Sequence, residues 1–244
     1  AKLLNEQLFK YFRSLFSGIK KIIEEAKTRK LKRKELNKSA VDFDQPFAGK
    51  SMIMIFEKPS TRTRISFDIA AKQLGGSSII LNPDVIHYGK GDESIKDTAK
   101  VLSEYADIIM MRTSLHKNLI EFAKCSKIPV INGLSEQSHP CQIMSDIFTF
   151  EEAKGNIKGK TIAWLGDGNN NMSNSFIEAA AKFDFKLNIA CPDKYKPSKN
   201  IMLWAKKNKA NIKIIKNPAE AVKNVDCVMT DKWVSMNDKV DKKK

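Results

Sequence analysis

The chain has 244 residues, 42% of them hydrophobic and 29% charged, and its 43 basic and 28 acidic residues give a formal net charge of +15. This composition excludes disordered, collagen-like and disulfide-scaffold proteins. No apolar run reaches the roughly 18 residues that a membrane span needs, and the charged opening does not have the form of a secretory signal. We therefore expect a cytoplasmic protein with no membrane partner. A transit peptide is the alternative, because Glu6 is the only acidic residue before Glu24.

The excess of positive charge is carried mainly by lysine, since only six of the 43 basic residues are arginine. Lysine this abundant is typical of a solvated surface, and no basic strand with interleaved aromatic residues accompanies it, so we expect no nucleic-acid partner. The four cysteines are far apart with no Cys-x-x-Cys pair, and only three histidines are present. The sequence therefore predicts reduced cysteines, no metal and no cofactor.

Apolar positions at helical spacing predict an opening helix over residues 3–26, and the basic stretch 27–38 is interpreted as a loop or a frayed helix end. Short apolar runs then alternate with helical patterns. Strands are predicted at 52–56, 78–81, 108–111 and 129–131, with helices from Pro59 to Gly75 and over 95–105 and 119–124. This alternation indicates a parallel sheet covered by helices on both faces.

A second series with the same alternation follows a helical pattern at 140–153, which we interpret as a connecting helix. Its predicted strands are 161–165, 187–191, 212–215 and 225–230, and its predicted helices are 176–183, 201–207 and 218–222. The sequence thus predicts two doubly wound α/β domains, 1–137 and 155–244, joined by the segment 138–154. The charged run 238–244 after the last strand predicts that the second domain is incomplete. We expect ligands in a cleft at the carboxyl ends of the strands.

The segment from Ser60 to Arg64 lies where a predicted buried strand turns into a helix. Free backbone N–H groups, three hydroxyls and two guanidinium groups at a helix amino end suit a phosphate. An ordinary helix cap followed by surface arginines is the alternative. The segment is not a Walker loop, because the glycines and the Gly-Lys pair are absent.

Two further groups follow strands of the first domain. Arg112 ends a predicted strand and is a second candidate cation for the phosphate. His139 and Gln142 open the connecting helix around Pro140, and an imidazole and a carboxamide there can hydrogen-bond a carbonyl oxygen and its amide. A histidine that merely caps a helix is the alternative interpretation.

The loop 166–172, which contains Asn170 and Asn171, follows the first strand of the second domain, and its Gly-x-Gly lacks the third glycine of a dinucleotide site. Asparagine side chains suit a zwitterion or an amide. Asp231 follows the last strand, where a carboxylate can pair with an ammonium group. A solvated turn is the alternative for Asp231.

Taken together, these motifs resemble those of the carbamoyltransferases, and within them ornithine carbamoyltransferases. Residues 56–64 are similar to the carbamoyl-phosphate loop, 139–142 to the His-Pro-x-Gln motif, and 231–236 to the Asp-x-Trp-x-Ser-Met ornithine motif. The segments 93–99, 132–135 and 166–170 agree as well. Aspartate carbamoyltransferases share the first two motifs but not the third, so ornithine is the favoured second substrate.

The resemblance implies transfer of a carbamoyl group from carbamoyl phosphate to the δ-amine of L-ornithine, giving L-citrulline and phosphate, by a homotrimer or larger homo-oligomer without a cofactor. Arg112 and His139 would be catalytic. Carbamoyl phosphate would contact a set of residues from the first domain and connecting helix, namely Ser60, Thr61, Arg62, Thr63, Arg64, His87, Arg112, His139 and Gln142. Ornithine would contact residues of the second domain, namely Asn170, Asn171, Asp231, Ser235 and Met236.

Two departures from the family pattern leave an alternative open. Family members continue through a His-Cys-Leu-Pro motif and a later arginine, which are absent here, and Asn237 stands where the family usually has glycine. The alternative is a truncated member that binds carbamoyl phosphate without turnover. The direction of the pathway, arginine synthesis or catabolism, stays open as well.

Overall fold

The computed structural model describes residues 18–82 and 93–231, and it divides the chain into two compact units. The first unit is Leu36–Cys141. The second begins at Gln142 and also includes the amino-terminal segment up to Glu35. Each unit contains one four-stranded parallel sheet, which confirms the predicted fold class of two parallel α/β domains.

The first unit has the strand order β2-β1-β3-β4. Residues 52–56 of β1 are all buried apolar side chains, as expected for a strand covered on both faces. Its strands are β1 (Ser51–Phe56), β2 (Ser77–Leu81), β3 (Ile108–Arg112) and β4 (Val130–Leu134), and its helices are α2 (Thr61–Gln73), α3 (Ile95–Ser103) and α4 (His116–Cys125). Strands β1 and β3 are neighbours, and the chain runs from β1 to β2 on one side and from β3 to β4 on the other. The two connections therefore diverge at the carboxyl ends of β1 and β3. Such a switch point is the usual ligand site of an open parallel sheet.

The second unit has the strand order β7-β6-β5-β8, so the order reverses between β5 and β8. Trp164 of β5, which is 1% exposed, lies at the centre of its core and packs against Phe176 with ring centroids 5.3 Å apart. The strands are β5 (Thr161–Leu165), β6 (Lys186–Ala190), β7 (Asn211–Ile215) and β8 (Cys227–Thr230), and the helices are α6 (Asn171–Phe183), α7 (Lys199–Lys207) and α8 (Pro218–Ala221). Helix α5 (Pro140–Lys154) links the two series of elements.

The amino-terminal helix α1, described from 18 to 32, differs from the prediction in two respects. It continues through much of the basic stretch expected to be a loop or frayed end, because Lys27 donates to Glu151 over 2.7 Å and Lys30 to Glu152 over 2.7 Å. It also belongs to the second unit, although the predicted division placed it in the first domain. The physical reason is that Ile23 is buried in the core of the second sheet.

Candidate active site

The loop between β1 and α2 and the end of β3 meet at the switch point of the first sheet. Arg112 pairs in register with Phe56, the last residue of β1, and its carbonyl accepts a 2.9 Å hydrogen bond from the Glu57 backbone N–H. The loop that follows β1 therefore starts beside the guanidinium-bearing residue. The parallel register thus brings the two motifs together at one end of the sheet.

Helix α2 begins with a side-chain cap. The hydroxyl of Ser60, in extended conformation, accepts a 3.3 Å hydrogen bond from the Thr63 backbone N–H. No acidic residue lies in the first turn, so the partial positive charge of the helix amino end is not neutralised locally. Thr61 and Arg62 open this turn and are exposed. The amino end of α2 is therefore available for an anion.

Arg112 is the central cation of this arrangement. One terminal nitrogen, Nη1, donates to Thr63 Oγ1 over 3.3 Å, while the buried Nε has no hydrogen-bond partner among the described residues. Burial lowers the pKa of Arg112, and the positive charge of Arg62 lowers it further. Two guanidinium groups thus lie close enough to repel, and one of them carries an unsatisfied buried donor. An oxyanion would relieve both costs.

The carboxylate of Glu57, a residue outside the predicted site, fixes the loop after Arg112. Glu57 Oε2 accepts hydrogen bonds from the Thr113 hydroxyl over 2.7 Å and from the Ser114 backbone N–H over 3.0 Å. Thr113 is completely buried. Glu57 stands in the motif 56–64, but the loop to which it bonds is more than fifty residues away in sequence, so its role could not be seen there.

Arg64, predicted as a phosphate ligand, has other neighbours within its unit. Its Nη2 donates to Asn82 Oδ1 over 2.9 Å, and its guanidinium lies over the Phe56 ring at 5.2 Å from the centroid. These contacts hold α2 to the ends of β1 and β2. Arg64 therefore lies near the amino end of α2, but its guanidinium contacts Asn82 and Phe56.

The end of β4 carries a bulge that shapes the approach to His139. Met111 pairs with Asn132 and Arg112 with Leu134, so Gly133 is the extra residue. A Cβ on Gly133 would collide with the buried Met110 Sδ and would lie 3.3 Å from the Met111 carbonyl oxygen, so this position favours glycine. The bulge places Leu134 beside Arg112, and the chain then turns into His139 at the start of α5.

The first turn of α5 supplies Gln142, whose Nε2 donates to Asp146 Oδ1 over 2.9 Å. Burial raises the pKa of Asp146, and the hydrogen bond from Gln142 opposes this shift. The intervening Cys141 donates to the Asn132 carbonyl over 3.3 Å, and burial raises the pKa of its thiol to about 11. Cys141 is therefore a protonated structural thiol at neutral pH.

The loop after β5 is held by local hydrogen bonds. The Trp164 indole donates to the Asp167 carbonyl over 2.9 Å, and the Asp167 carboxylate accepts from the Asn169 backbone N–H over 2.7 Å. Gly168 donates from its backbone to the Tyr195 carbonyl over 2.9 Å. These bonds give the loop one defined conformation at the end of a central strand.

Asn170 and Asn171 have different places in this loop. Asn170 is the N-cap of α6: its Oδ1 accepts from the Ser173 backbone N–H over 2.8 Å, and its own backbone N–H donates to Ser173 Oγ over 3.1 Å. This reciprocal bonding commits the amide oxygen of Asn170 to the helix. Asn171 is the first residue of α6.

Asp231 directly follows β8, which pairs with β5, so it lies at the same sheet end as the asparagine loop. The predicted site residues His87, Ser235 and Met236 lie outside the described residues.

Within residues 18–82 and 93–231, no three His, Cys, Asp or Glu side chains form a group that could hold a metal ion. No helix in the same ranges is long and apolar enough to cross a membrane.

Two family models together match almost the whole chain. Residues 16–152 match the carbamoyl-P binding domain of aspartate/ornithine carbamoyltransferases, and residues 158–244 match their Asp/Orn binding domain. The chain belongs to the aspartate/ornithine carbamoyltransferase family. Its membership identifies it as a carbamoyltransferase, and it confirms the resemblance drawn from the motifs.

Individual relatives agree with the family match. The chain is 51% identical over 223 residues to an ornithine carbamoyltransferase of Rhodopseudomonas palustris, covering 91% of this chain and 70% of that protein. It is 49% identical over 218 residues to that of Brucella ovis, covering 89% and 68%. The chain thus spans about 70% of the length of these relatives.

Solved structures give the same result. The structure of ornithine carbamoyltransferase from Pyrococcus furiosus matches with a TM-score of 0.83 and 40% identity, covering 91% of this chain and 70% of that one. An anabolic ornithine carbamoyltransferase from Campylobacter jejuni matches with a TM-score of 0.80 and 36% identity, covering 93% and 73%. The fold is therefore that of this family.

Proposed function

We propose that this chain transfers the carbamoyl group of carbamoyl phosphate to the δ-amine of L-ornithine, giving L-citrulline and phosphate. The observation that carries the proposal is the cation pair at the first switch point. Arg112 has a buried Nε donor without a partner among the described residues, and Arg62 lies close enough to lower its pKa. Such a pair is costly in the absence of an anion. Relatives named ornithine carbamoyltransferase support ornithine as the acceptor.

The phosphate of carbamoyl phosphate would bind at the amino end of α2. Backbone N–H groups of Thr61 and Arg62 and the guanidinium groups of Arg62 and Arg112 would donate to its oxygens. The hydroxyl of Ser60 already caps Thr63, so its main contribution is to fix the helix end. Arg64 and His87 complete the predicted set, with Arg64 acting through its hold on α2.

The carbamoyl group would lie towards His139 and Gln142. Thr63, Arg112 and His139 would donate to the carbonyl oxygen, on which negative charge develops as the amine attacks. Gln142 would orient the carbamoyl amide, and its bond to Asp146 fixes the direction of its own amide. The protein supplies position and charge stabilisation, and phosphate is the leaving group.

The second unit would bind ornithine. Asp231 would pair with the α-ammonium group, and Asn171, with Asn170, Ser235 and Met236, would hold the amino-acid end. The δ-amine must be neutral to attack the carbonyl carbon, so its pKa and that of the site groups set the pH dependence.

The test is citrulline formation by the full chain from carbamoyl phosphate and ornithine, with aspartate offered in parallel. We expect citrulline, and Arg62→Ala should lower kcat/KM for carbamoyl phosphate about 10- to 100-fold, the value of one or two charge-assisted hydrogen bonds. Arg33→Ala, which removes an arginine outside the proposed site, is the matched control and should leave the rate unchanged.

Three other results would change the proposal. Carbamoylation of aspartate in place of ornithine would reassign the substrate. Calorimetric binding of carbamoyl phosphate without either product would favour the second candidate, a binding protein without turnover. Equal activity of the wild type and Arg62→Ala would remove the anion site from the mechanism.

We further propose that the chain works as a homo-oligomer in the cytoplasm, with a trimer expected. Three apolar side chains of the first unit support a contact surface, because Ile65 and Ile69 of α2 and Ile79 of β2 are 56%, 37% and 50% exposed. All four cysteines are free thiols, as is usual in a reducing compartment. Light scattering measures the molar mass of the wild type and of Ile65→Glu in solution. We expect an oligomer for the wild type and a smaller mass for the variant, because a carboxylate on this surface would oppose the contact between copies.

A further inference from the structure

A histidine outside the predicted site is tied to the turn that carries His139. His116, the first residue of α4, lies with its ring Nδ1 2.8 Å from the hydroxyl of Ser135, which is completely buried. Its backbone N–H donates to Glu136 Oε2 over 2.9 Å. Two consecutive residues of the segment between β4 and α5 are therefore held by one residue of α4.

The segment held in this way is a closed turn. The Ser135 backbone N–H donates to the Ser138 carbonyl over 2.9 Å, and the Ser138 backbone N–H donates back to Ser135 Oγ over 3.3 Å. Asn132 of β4 also donates from Nδ2 to the Ser138 hydroxyl over 2.9 Å. The next residue is His139, so the geometry of this turn decides where the His139 backbone begins.

The donors and acceptors of the turn are consistent with a neutral His116. Burial lowers the pKa of His116, and the carboxylate of Glu136 opposes that shift. Ser135 Oγ accepts from the Ser138 backbone N–H, and its proton has two acceptors within reach, the Ser138 carbonyl at 3.5 Å and His116 Nδ1 at 2.8 Å. The shorter distance favours donation to an unprotonated Nδ1 of His116. Loss of the imidazole would leave a buried hydroxyl without this partner and would loosen the turn.

We infer that His116 is a positioning residue for His139, acting through the Ser135 hydroxyl and the turn 135–138. The inference rests on the proposed function, in which His139 contacts the carbamoyl group. It assigns His116 no contact with substrate. Because the phosphate would bind at the amino end of α2 and at Arg112, while the carbamoyl group alone would reach His139, the two parts of carbamoyl phosphate should respond differently to a change at His116.

The experiment compares the affinities of carbamoyl phosphate and inorganic phosphate by calorimetry for the full chain, without ornithine and thus without turnover. For His116→Phe we expect carbamoyl phosphate to bind on the order of tenfold more weakly, the effect of one lost hydrogen bond to a buried group. Ser135→Ala should weaken binding at least as much, because it also removes the acceptor of the Ser138 backbone N–H. Inorganic phosphate should bind within twofold of wild type. His116→Asn, which can place an amide oxygen near the Nδ1 position, should recover most of the affinity.

Matched controls and a double variant complete the design. Lys117→Ala, at an exposed neighbouring position of α4, should leave both affinities unchanged. The double variant His116→Phe/Ser135→Ala should bind carbamoyl phosphate no more weakly than Ser135→Ala alone, because Ser135→Ala already removes the bond to His116 together with the bond from the Ser138 backbone N–H. Should His116→Phe fail to fold by circular dichroism, Ser135→Ala and His116→Asn carry the comparison.

Two results would overturn the inference: an equal loss of affinity for both ligands, or unchanged affinity for both in folded variants. Failure of the proposed function has a different signature. It would show in the wild type, which would then bind carbamoyl phosphate no better than phosphate and form no citrulline.

Discussion

Replacing Arg112 by methionine should separate stability from binding, because the arginine is costly to the protein without an anion. The substitution keeps a long side chain that can fill the space of the stem. It removes the buried Nε donor that has no partner among the described residues, and it removes the repulsion by Arg62. It also removes the 3.3 Å hydrogen bond from Nη1 to Thr63.

The sign of the net change follows from these contributions. An unsatisfied buried donor costs about 1–3 kcal/mol, whereas an ordinary hydrogen bond contributes about 0.5–1.5 kcal/mol. Without ligand, Arg112→Met should therefore be more stable than wild type by about 1 kcal/mol, which for a protein of this size corresponds to a rise in Tm of about 2–4 °C. Inorganic phosphate at a hundred times the wild-type Kd should stabilise the wild type by about 2.7 kcal/mol, and the variant by only about 0.4–1.4 kcal/mol if loss of Arg112 weakens binding about 10- to 100-fold.

Differential scanning calorimetry with and without inorganic phosphate is the assay, and the Lys117→Met variant is the control for adding a methionine at an exposed site. The order of Tm should be variant above wild type without phosphate, and wild type above variant with it. A variant less stable than wild type by 1 kcal/mol or more without phosphate would refute the reasoning, because Arg112 would then be a structural residue. Equal stabilisation of both by phosphate would also refute it.

Two further substitutions test the second unit and the pH dependence. Gly168→Ala should destabilise the chain by about 1–3 kcal/mol, because the added Cβ would lie 2.8 Å from the Tyr195 carbonyl oxygen. It should also weaken the binding of ornithine without changing that of carbamoyl phosphate. Urea titration measures the stability, with Gly18→Ala as the control, and an unchanged stability of Gly168→Ala would contradict this prediction. Asp68→Asn should lower stability at pH 7, because hydrogen bonds from Ser78 and then Lys72 lower the pKa of Asp68. Because the pKa of Asp68 is lower in the folded than in the unfolded chain, where it is near 3.9, Asp68 stabilises the fold above that pH, and this stabilisation is lost as the pH falls through the folded-state pKa. The unfolding free energies of wild type and variant should therefore approach each other below about pH 4. A difference in unfolding free energy that stays constant down to about pH 2 would contradict this prediction.

The order of elements could be predicted because apolar periodicity is strong in this chain. The prediction for β5 coincides with the strand observed, since five apolar or β-branched residues stand between two glycine-containing turns. Helix α6 begins at Asn171, five residues before its predicted start. Three of the first four residues, Asn171, Ser173 and Asn174, are polar, and the reciprocal cap between Asn170 and Ser173 makes this turn helical. Apolar periodicity does not reveal such a turn.

Contacts distant in sequence could not be predicted from local pattern. The basic stretch after residue 27 continues the α1 helix because Glu151 and Glu152 of α5 pair with its lysines, more than a hundred residues away. Arg64 was predicted from its motif as a phosphate ligand, but its partner Asn82 follows the next strand. The bulge at Gly133 likewise depends on the register between β3 and β4, a property of the pair and not of either strand.

The motif residues explain which chemical groups are present, whereas residues with no expected role explain how those groups are held. The Arg62 and Arg112 guanidinium groups repel each other, so nothing in their own charges keeps them together. Their positions depend on the backbone: the Glu57 N–H fixes the Arg112 carbonyl, and the Glu57 carboxylate fixes the next two residues. Because these anchors bind the chain and not the guanidinium, Arg112 Nε stays available for an anion. The backbone thus holds the two guanidinium groups in place before the ligand binds. The unpaired Arg112 Nε and the repulsion by Arg62 lower the stability of the free protein, and a bound anion would offset both.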